Sequence, residues 1–252
     1  MIPTLSAEQK YQLNEDGFVV LENLFTVEEM NEVAERIESF QRRHEESLQA
    51  TESGASGISR ADEITFTDHL AEKDPAIRAF CERPEFVAIS TQLLGPDIDL
   101  YWNQSVFKQP ECAKEFPWHQ DDGYGIVDPS PYLTLWLALN DATPENGCIS
   151  VMPGSYKRGL IEHWESPIGN VCYSSDEADQ GIRVPVKAGS LIVFWSLTFH
   201  KSGPNVSDGT RKAFVIQYAK SPLRNGYSGE VMEHLLPIAR NGQPANQVES
   251  VA

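Results

Sequence analysis

Between about residue 98 and residue 219 the chain is cut into short segments that only a β architecture accommodates. Segments 98–108, 132–140, 147–152, 183–187, 190–195 and 211–219 are rich in β-branched and aromatic residues and bounded by Gly, Pro, Asn and Asp. Most are too short for stable helices, and their spacing predicts a sandwich or barrel. The first third reads differently. Ser6 with Gln9 forms a potential capping box opening a helix over about 7–14, Asp16-Gly17 breaks it, and Phe18-Val19-Val20-Leu21 reads as a strand. Thr26 with Glu29 is a second capping box. Behind it Val27, Met30, Val33, Ala34, Ile37 and Phe40 recur at spacings of three and four, predicting an amphipathic helix to about residue 47. The small polar stretch 49–60 reads as a mobile loop. Pro75 and Pro84 each start a short helix, and Gly95-Pro96 ends the second. Helices followed by strands, with no repeat or linker, predict one domain. Helical support covers about 1–96, the β core about 97–220, and a C-terminal tail 221–252.

Composition narrows the function. A chain of 252 residues with 40% hydrophobic content can bury one sizeable core. Its formal charge of −17 repels nucleic acid and anionic membrane surfaces, so neither is an expected partner. No apolar run approaches the roughly 18–20 residues of a membrane span. Cys81, Cys112, Cys148 and Cys172 form no CxxC pair, which argues against a zinc ribbon or a dithiol redox motif. The first residues lack a secretory pattern and the last lack a peroxisomal tripeptide, so the expected compartment is a reducing cytoplasm with free thiols.

The chemistry concentrates at Phe116-Pro117-Trp118-His119-Gln120-Asp121, answered by Phe199-His200-Lys201-Ser202 and then Arg211. Two histidines and one carboxylate on one face of iron(II) leave three positions open for cosubstrate and dioxygen. In an extended segment, residues i and i+2 point the same way, so His119 and Asp121 can converge on one metal. His200, just past the 191–195 strand, supplies the third ligand. Arg211 offers a permanently charged fork for a carboxylate. The other histidines, His44, His69, His163 and His234, have no partner spacing and are assigned no metal.

These pieces carry a resemblance. Phe107-Lys108, Pro117 to Asp121, Trp136, Pro144 to Tyr156, Ala188 to Leu191, His200 to Asn205 and Arg211 follow the order and spacing of the phytanoyl-CoA dioxygenase family of iron(II)/2-oxoglutarate oxygenases. The similarity spans about 100–220; the family's usual Gly-Ser-His is Gly154-Ser155-Tyr156 here, away from the metal ligands. The resemblance implies a double-stranded β-helix (a jelly-roll, cupin-like core) buttressed by the N-terminal helices. It implies Fe(II), 2-oxoglutarate and O2 as cofactor and cosubstrates. It also implies His119, Asp121 and His200 on the metal, and Arg211 with Ser202, Trp136 and Lys108 around the cosubstrate. The retained Asp121 points to hydroxylation or another oxidation over halogenation, because related halogenases lack that carboxylate. The expected activity is hydroxylation of an unactivated C–H in a small molecule, a specialised metabolite or amino-acid derivative, with release of succinate and CO2. An acyl-CoA 2-hydroxylase and a catalytically silent jelly roll are the alternatives.

Alternation extends the reading to the substrate. If Lys108 faces inward, so do Val106, Gln104 and Trp102; if Arg211 faces inward, so do Ala213, Val215 and Gln217. Gln104 and Trp102 are therefore candidate substrate contacts. The stretch 157–182, with His163, Trp164 and Tyr173, is a candidate lid that contributes Trp164. Residues 49–66, ending in Phe66, are placed as the opposite wall.

Overall fold

The computed structural model describes residues 4–166, 169–171, 181–233 and 235–248. Tyr173 of the candidate lid, Cys172 and His234 lie outside these residues. Two sheets face each other as a jelly roll, the double-stranded β-helix. The strands that build it are β1 (Phe18–Leu21), β2 (Ile64–Asp68), β3 (Ile98–Lys108), β4 (Phe116–His119), β5 (Leu133–Ala138) and β6 (Ile149–Val151). They continue with β7 (Ile182–Arg183), β8 (Leu191–Trp195), β9 (His200–Ser202), β10 (Arg211–Lys220) and β11 (Leu236–Arg240). The larger sheet runs β1-β8-β5-β10-β3-β2, all antiparallel, and ends in the two-residue strands Ser59–Arg60 and Ala55–Ser56. The smaller sheet runs β7-β6-β9-β4, also antiparallel.

Strand alternation decides which side chains reach the site. On β5, Leu133, Leu135 and Leu137 join a core with the helices, while Trp136 and Ala138 face the smaller sheet. On β10, Phe214 and Ile216 face the helices, and Ala213 and Val215 face inward. The helical layer is held by the predicted caps. Ser6 and Gln9 close α1 (Ala7–Asp16), and Thr26 and Glu29 close α2 (Val27–Gln49). The stripe Met30, Ala34 and Ile37 is buried against Leu133, Leu135 and Phe86. Met30 and Ile37, both fully buried, each contribute about 1.5–3 kcal/mol of transfer free energy. Asp74 caps the helix Pro75–Cys81, and Gly95 ends Pro84–Leu94.

Four details depart from the sequence-based expectation. Residues 49–60 are not a plain loop: Ala55–Ser56 and Ser59–Arg60 extend the edge of the larger sheet. The residues after 220 are not simply a tail, because β11 returns to pair with the Ile98 end of β3. His200 does not trail from β8; it opens β9 and pairs with both β4 and β6 in the other sheet. Phe116–His119 is the edge strand of the smaller sheet, paired with β9 through an irregular register, and is too short and too rich in Pro and Trp to stand out by composition.

Among the described residues, no helix is long and apolar enough to cross a membrane.

Candidate metal centre

His119 and His200 are direct cross-strand partners, with ring centroids 4.1 Å apart. Gln120 continues the extended path with φ −112° and ψ 141°, and the chain then turns, so Asp121 opens a short 3-10 turn instead of extending the strand. Its Oδ1 lies 3.8 Å from His119 Nε2 and 3.5 Å from His200 Nε2. One ligand atom from each residue falls within 4.8 Å of the others.

Each histidine is oriented by its far nitrogen. His119 Nδ1 lies 2.8 Å from the Pro117 carbonyl, and His200 Nδ1 lies 3.0 Å from that of Thr198. A carbonyl only accepts, so each Nδ1 carries the proton and each Nε2 presents a lone pair. Burial, and then the neighbouring His200, hold His119 well below the usual imidazole pKa, which keeps it a neutral ligand. The other oxygen of Asp121 is also occupied: Thr134 Oγ1 donates to Oδ2 at 2.6 Å and Gln217 Nε2 at 2.9 Å. Oδ1 is left for the centre.

One turn supports the whole set. The Ser196 carbonyl accepts from the Asp121 N–H, the Leu197 carbonyl from Gln120 Nε2, and the Thr198 carbonyl fixes His200. The turn is anchored in return by Gly17, whose carbonyl accepts from Thr198 Oγ1 and from the Trp195 N–H. Gly17 sits at φ +81° past the end of α1, a conformation glycine adopts without steric penalty. Gln120 is fully buried and also donates to Gly159 O and accepts from Ile161 N, tying the 159–163 segment to the ligand triplet. His163 Nε2 accepts the Gln120 N–H at 3.1 Å.

Arg211, first residue of β10, is fully buried beside this cluster. Its Nη1 donates to Val106 O at 3.1 Å, Nε has no partner among the described residues, and the guanidinium lies 5.5 Å from the Trp136 ring centroid. Burial pushes its pKa down to about 10, with Cys148 opposing the shift weakly. Ser202 and Trp136 line the same inner cavity together with His119, Asp121, His200 and Arg211. An outer cavity of about 390 Å³ continues from it through the shared walls Phe66, Gln104, Phe116, His119 and Asp121. Trp102 lies in this outer cavity, as does Gln217, and Gln104 and Phe66 line both.

Two expected contacts are placed elsewhere. Lys108 is fully buried, but its Nζ donates to the carbonyls of Lys114, Ser202 and Gly203, and the residue does not line the inner cavity. Its four-carbon stem is long enough to carry the amine past the cavity to these acceptors. Trp164 is half exposed on the hairpin strand Trp164–Ser166 and lines neither cavity. Thr134, Tyr101 and Tyr132 were not singled out by sequence; Thr134 was reachable, since it shares the inward face of β5 with Trp136.

The chain matches the family model described as phytanoyl-CoA dioxygenase (PhyH) over residues 13–213. A phytanoyl-CoA dioxygenase of Arabidopsis thaliana is 30% identical over 156 residues, which cover 60% of this chain and 55% of that protein. Phytanoyl-CoA dioxygenase domain-containing protein 1 of Mus musculus is 27% identical, covering 84% of this chain and 89% of the relative. Among solved structures, SnoK, a non-heme alpha ketoglutarate dependent carbocyclase from nogalamycin biosynthesis, superposes with a TM-score of 0.76 at 23% identity, covering 93% and 97% of the two chains. The epimerase SnoN, solved with Fe3+, alpha ketoglutarate and nogalamycin RO, gives 0.70 at 21% identity and covers 94% of each. At these identities the two structures speak for the shared fold.

Proposed function

This chain belongs to the phytanoyl-CoA dioxygenase family and is an iron(II)- and 2-oxoglutarate-dependent oxygenase, and we propose that it hydroxylates an unactivated C–H bond of a small molecule seated in the outer cavity. The observation that carries the reading is the convergence of His119, Asp121 and His200 beside the buried, incompletely paired Arg211. Two imidazoles, each tied through Nδ1 to a backbone carbonyl, and one carboxylate suit a divalent cation with open positions. A desolvated guanidinium suits the distal carboxylate of a chelating dianion. In this reading His119, Asp121 and His200 hold iron, Arg211 and Ser202 hold the far carboxylate of 2-oxoglutarate, and Trp136 walls the cosubstrate in. When bound, iron(II) with 2-oxoglutarate and dioxygen supplies the oxidant for C–H hydroxylation, with release of succinate and CO2.

The residues act by pre-orientation. Pro117 O and Thr198 O keep the two Nε2 lone pairs on the centre, and Thr134 and Gln217 hold Asp121 so that one oxygen faces it. The apolar side chains of Phe116, Ile149, Phe194 and Val215 line the inner cavity and exclude water from it. Anaerobic protein mixed with iron(II) and 2-oxoglutarate is expected to develop the visible metal-to-ligand charge-transfer absorption, and Asp121→Ala is expected to lose it. A wild-type protein without the band, or a variant that keeps it in full, would contradict the assignment.

A further inference from the structure

The two connected cavities divide their charge. The inner one is lined by Arg211 and Lys201, the latter paired with Glu115 at 2.7 Å. The outer one has no lysine or arginine among its described lining residues. Its walls are rings (Phe66, Tyr101, Trp102, Phe116, Tyr124 and Tyr132) packed in part edge to face, with Tyr101 and Tyr132 centroids 4.9 Å apart. Its volume of about 390 Å³ lies within the ~300–1,000 Å³ typical of small-molecule sites.

At the junction stands Gln104, whose carboxamide orientation is fixed by chemistry. An indole N–H only donates, and Trp102 Nε1 lies 3.1 Å from Gln104 Oε1, so the oxygen faces the indole and Nε2 faces away. Gln104 Nε2 has no hydrogen-bond partner among the described residues. The neighbouring amide, Gln217, already donates to Asp121 and Thr134. Gln104 therefore holds a free donor where the two cavities meet.

Resting on the oxygenase reading above, we infer that the outer cavity binds an uncharged, ring-bearing substrate whose acceptor oxygen is held by Gln104 Nε2. An anionic substrate would enter a cavity with no lysine or arginine among its described lining residues to receive it, because Arg211 is engaged by the far carboxylate of 2-oxoglutarate. A ring meets aromatic walls that give dispersion and edge-to-face contact. Gln104 sets which oxygen-bearing face points to the metal and is thus a specificity-determining residue.

The test uses benzamide and its anionic counterpart benzoate as probes, titrated calorimetrically into anaerobic protein holding iron(II) and saturating 2-oxoglutarate. Benzamide is expected to bind at least about tenfold more tightly than benzoate. Gln104→Leu is expected to weaken benzamide about tenfold, the value of one lost hydrogen bond. Gln104→Glu keeps the acceptor for Trp102, removes the donor, and is expected to weaken benzamide at least as much. In both variants the charge-transfer band reports an intact centre. Equal or tighter binding of benzoate, failure of both probes to bind, or wild-type affinity in both variants would overturn the inference while a normal band left the oxygenase reading standing. Absence of the band in wild type, with benzamide still preferred, would overturn that reading instead.

Discussion

At the residue scale, Arg211 shows a site built at the expense of the resting protein. Among the described residues this cation has no ion-pair partner and its Nε has no acceptor; it is held out of water, and its lowered pKa records the desolvation. Replacing it by a flexible apolar residue removes that penalty. Arg211→Met is therefore expected to raise the stability of the ligand-free protein by roughly 1–3 kcal/mol while 2-oxoglutarate affinity falls at least about 100-fold, as follows from losing a bidentate charge-assisted pair. Thermal unfolding and calorimetry check the two halves; a variant that is both less stable and still binds would refute the account. The ligand triplet could be read from sequence because its meaning lies in local spacing and residue chemistry. Lys108 shows where such reading stops. Alternation groups Lys108 with Val106 and Gln104 only on the condition that it faces inward, and whether the amine ends in the cavity or beyond it depends on where the Gly203 and Lys114 carbonyls lie, and those arrive from distant turns.

At the element scale, the Lys108 amine pins β3 to the turn that follows β9. Gly147 makes the close approach possible. It sits at φ +85°, and a Cβ there would meet Gly203 O at 2.6 Å and Pro204 O at 3.0 Å. Burial, followed by the facing Arg211, pushes the Lys108 pKa down to about 7 from an ordinary 10.5. The folded chain then binds fewer protons at this group than the unfolded chain between these values, so its contribution to stability rises with pH across that window and is least favourable below pH 7. Lys108→Met is expected to abolish this slope: the stability of wild type relative to the variant should climb from pH 7 toward pH 10. Parallel curves for the two proteins in pH-dependent denaturation would refute it. Helix boundaries were legible because capping boxes and Pro or Gly punctuation are local signals; α1 and α2 each run about two residues beyond the apolar pattern. The strands β4 and β9 were not, since each has only three or four residues and is defined by its partners.

At the scale of the whole molecule, the helices bury one face of the larger sheet and leave its other face to the site. The turn at 196–198 joins the two layers, because Gly17 at the end of α1 supports the carbonyls that orient Asp121 and His200. The metal ligands and the fold share hydrogen bonds, so ligand binding should be felt throughout. Iron(II) with 2-oxoglutarate at about 100 times the dissociation constant is expected to add about 2.7 kcal/mol to global stability. A chelator should return the melting temperature to the ligand-free value, and a melting temperature indifferent to both additions would argue against a folded-state site. The edges of the sheets have a separate consequence. The larger one closes at one side on the four-residue β1 and at the other on the two-residue Ala55–Ser56 and, at the Ile98 end of β3, on β11 with the two-residue Gln243–Pro244; the smaller one closes on β4 and the two-residue β7. Edge strands are templates for runaway strand addition, and short ones expose few free N–H and C=O groups in register. A sandwich trimmed in this way gives neighbouring copies little backbone on which to nucleate a fibril, even when the cell makes it in quantity.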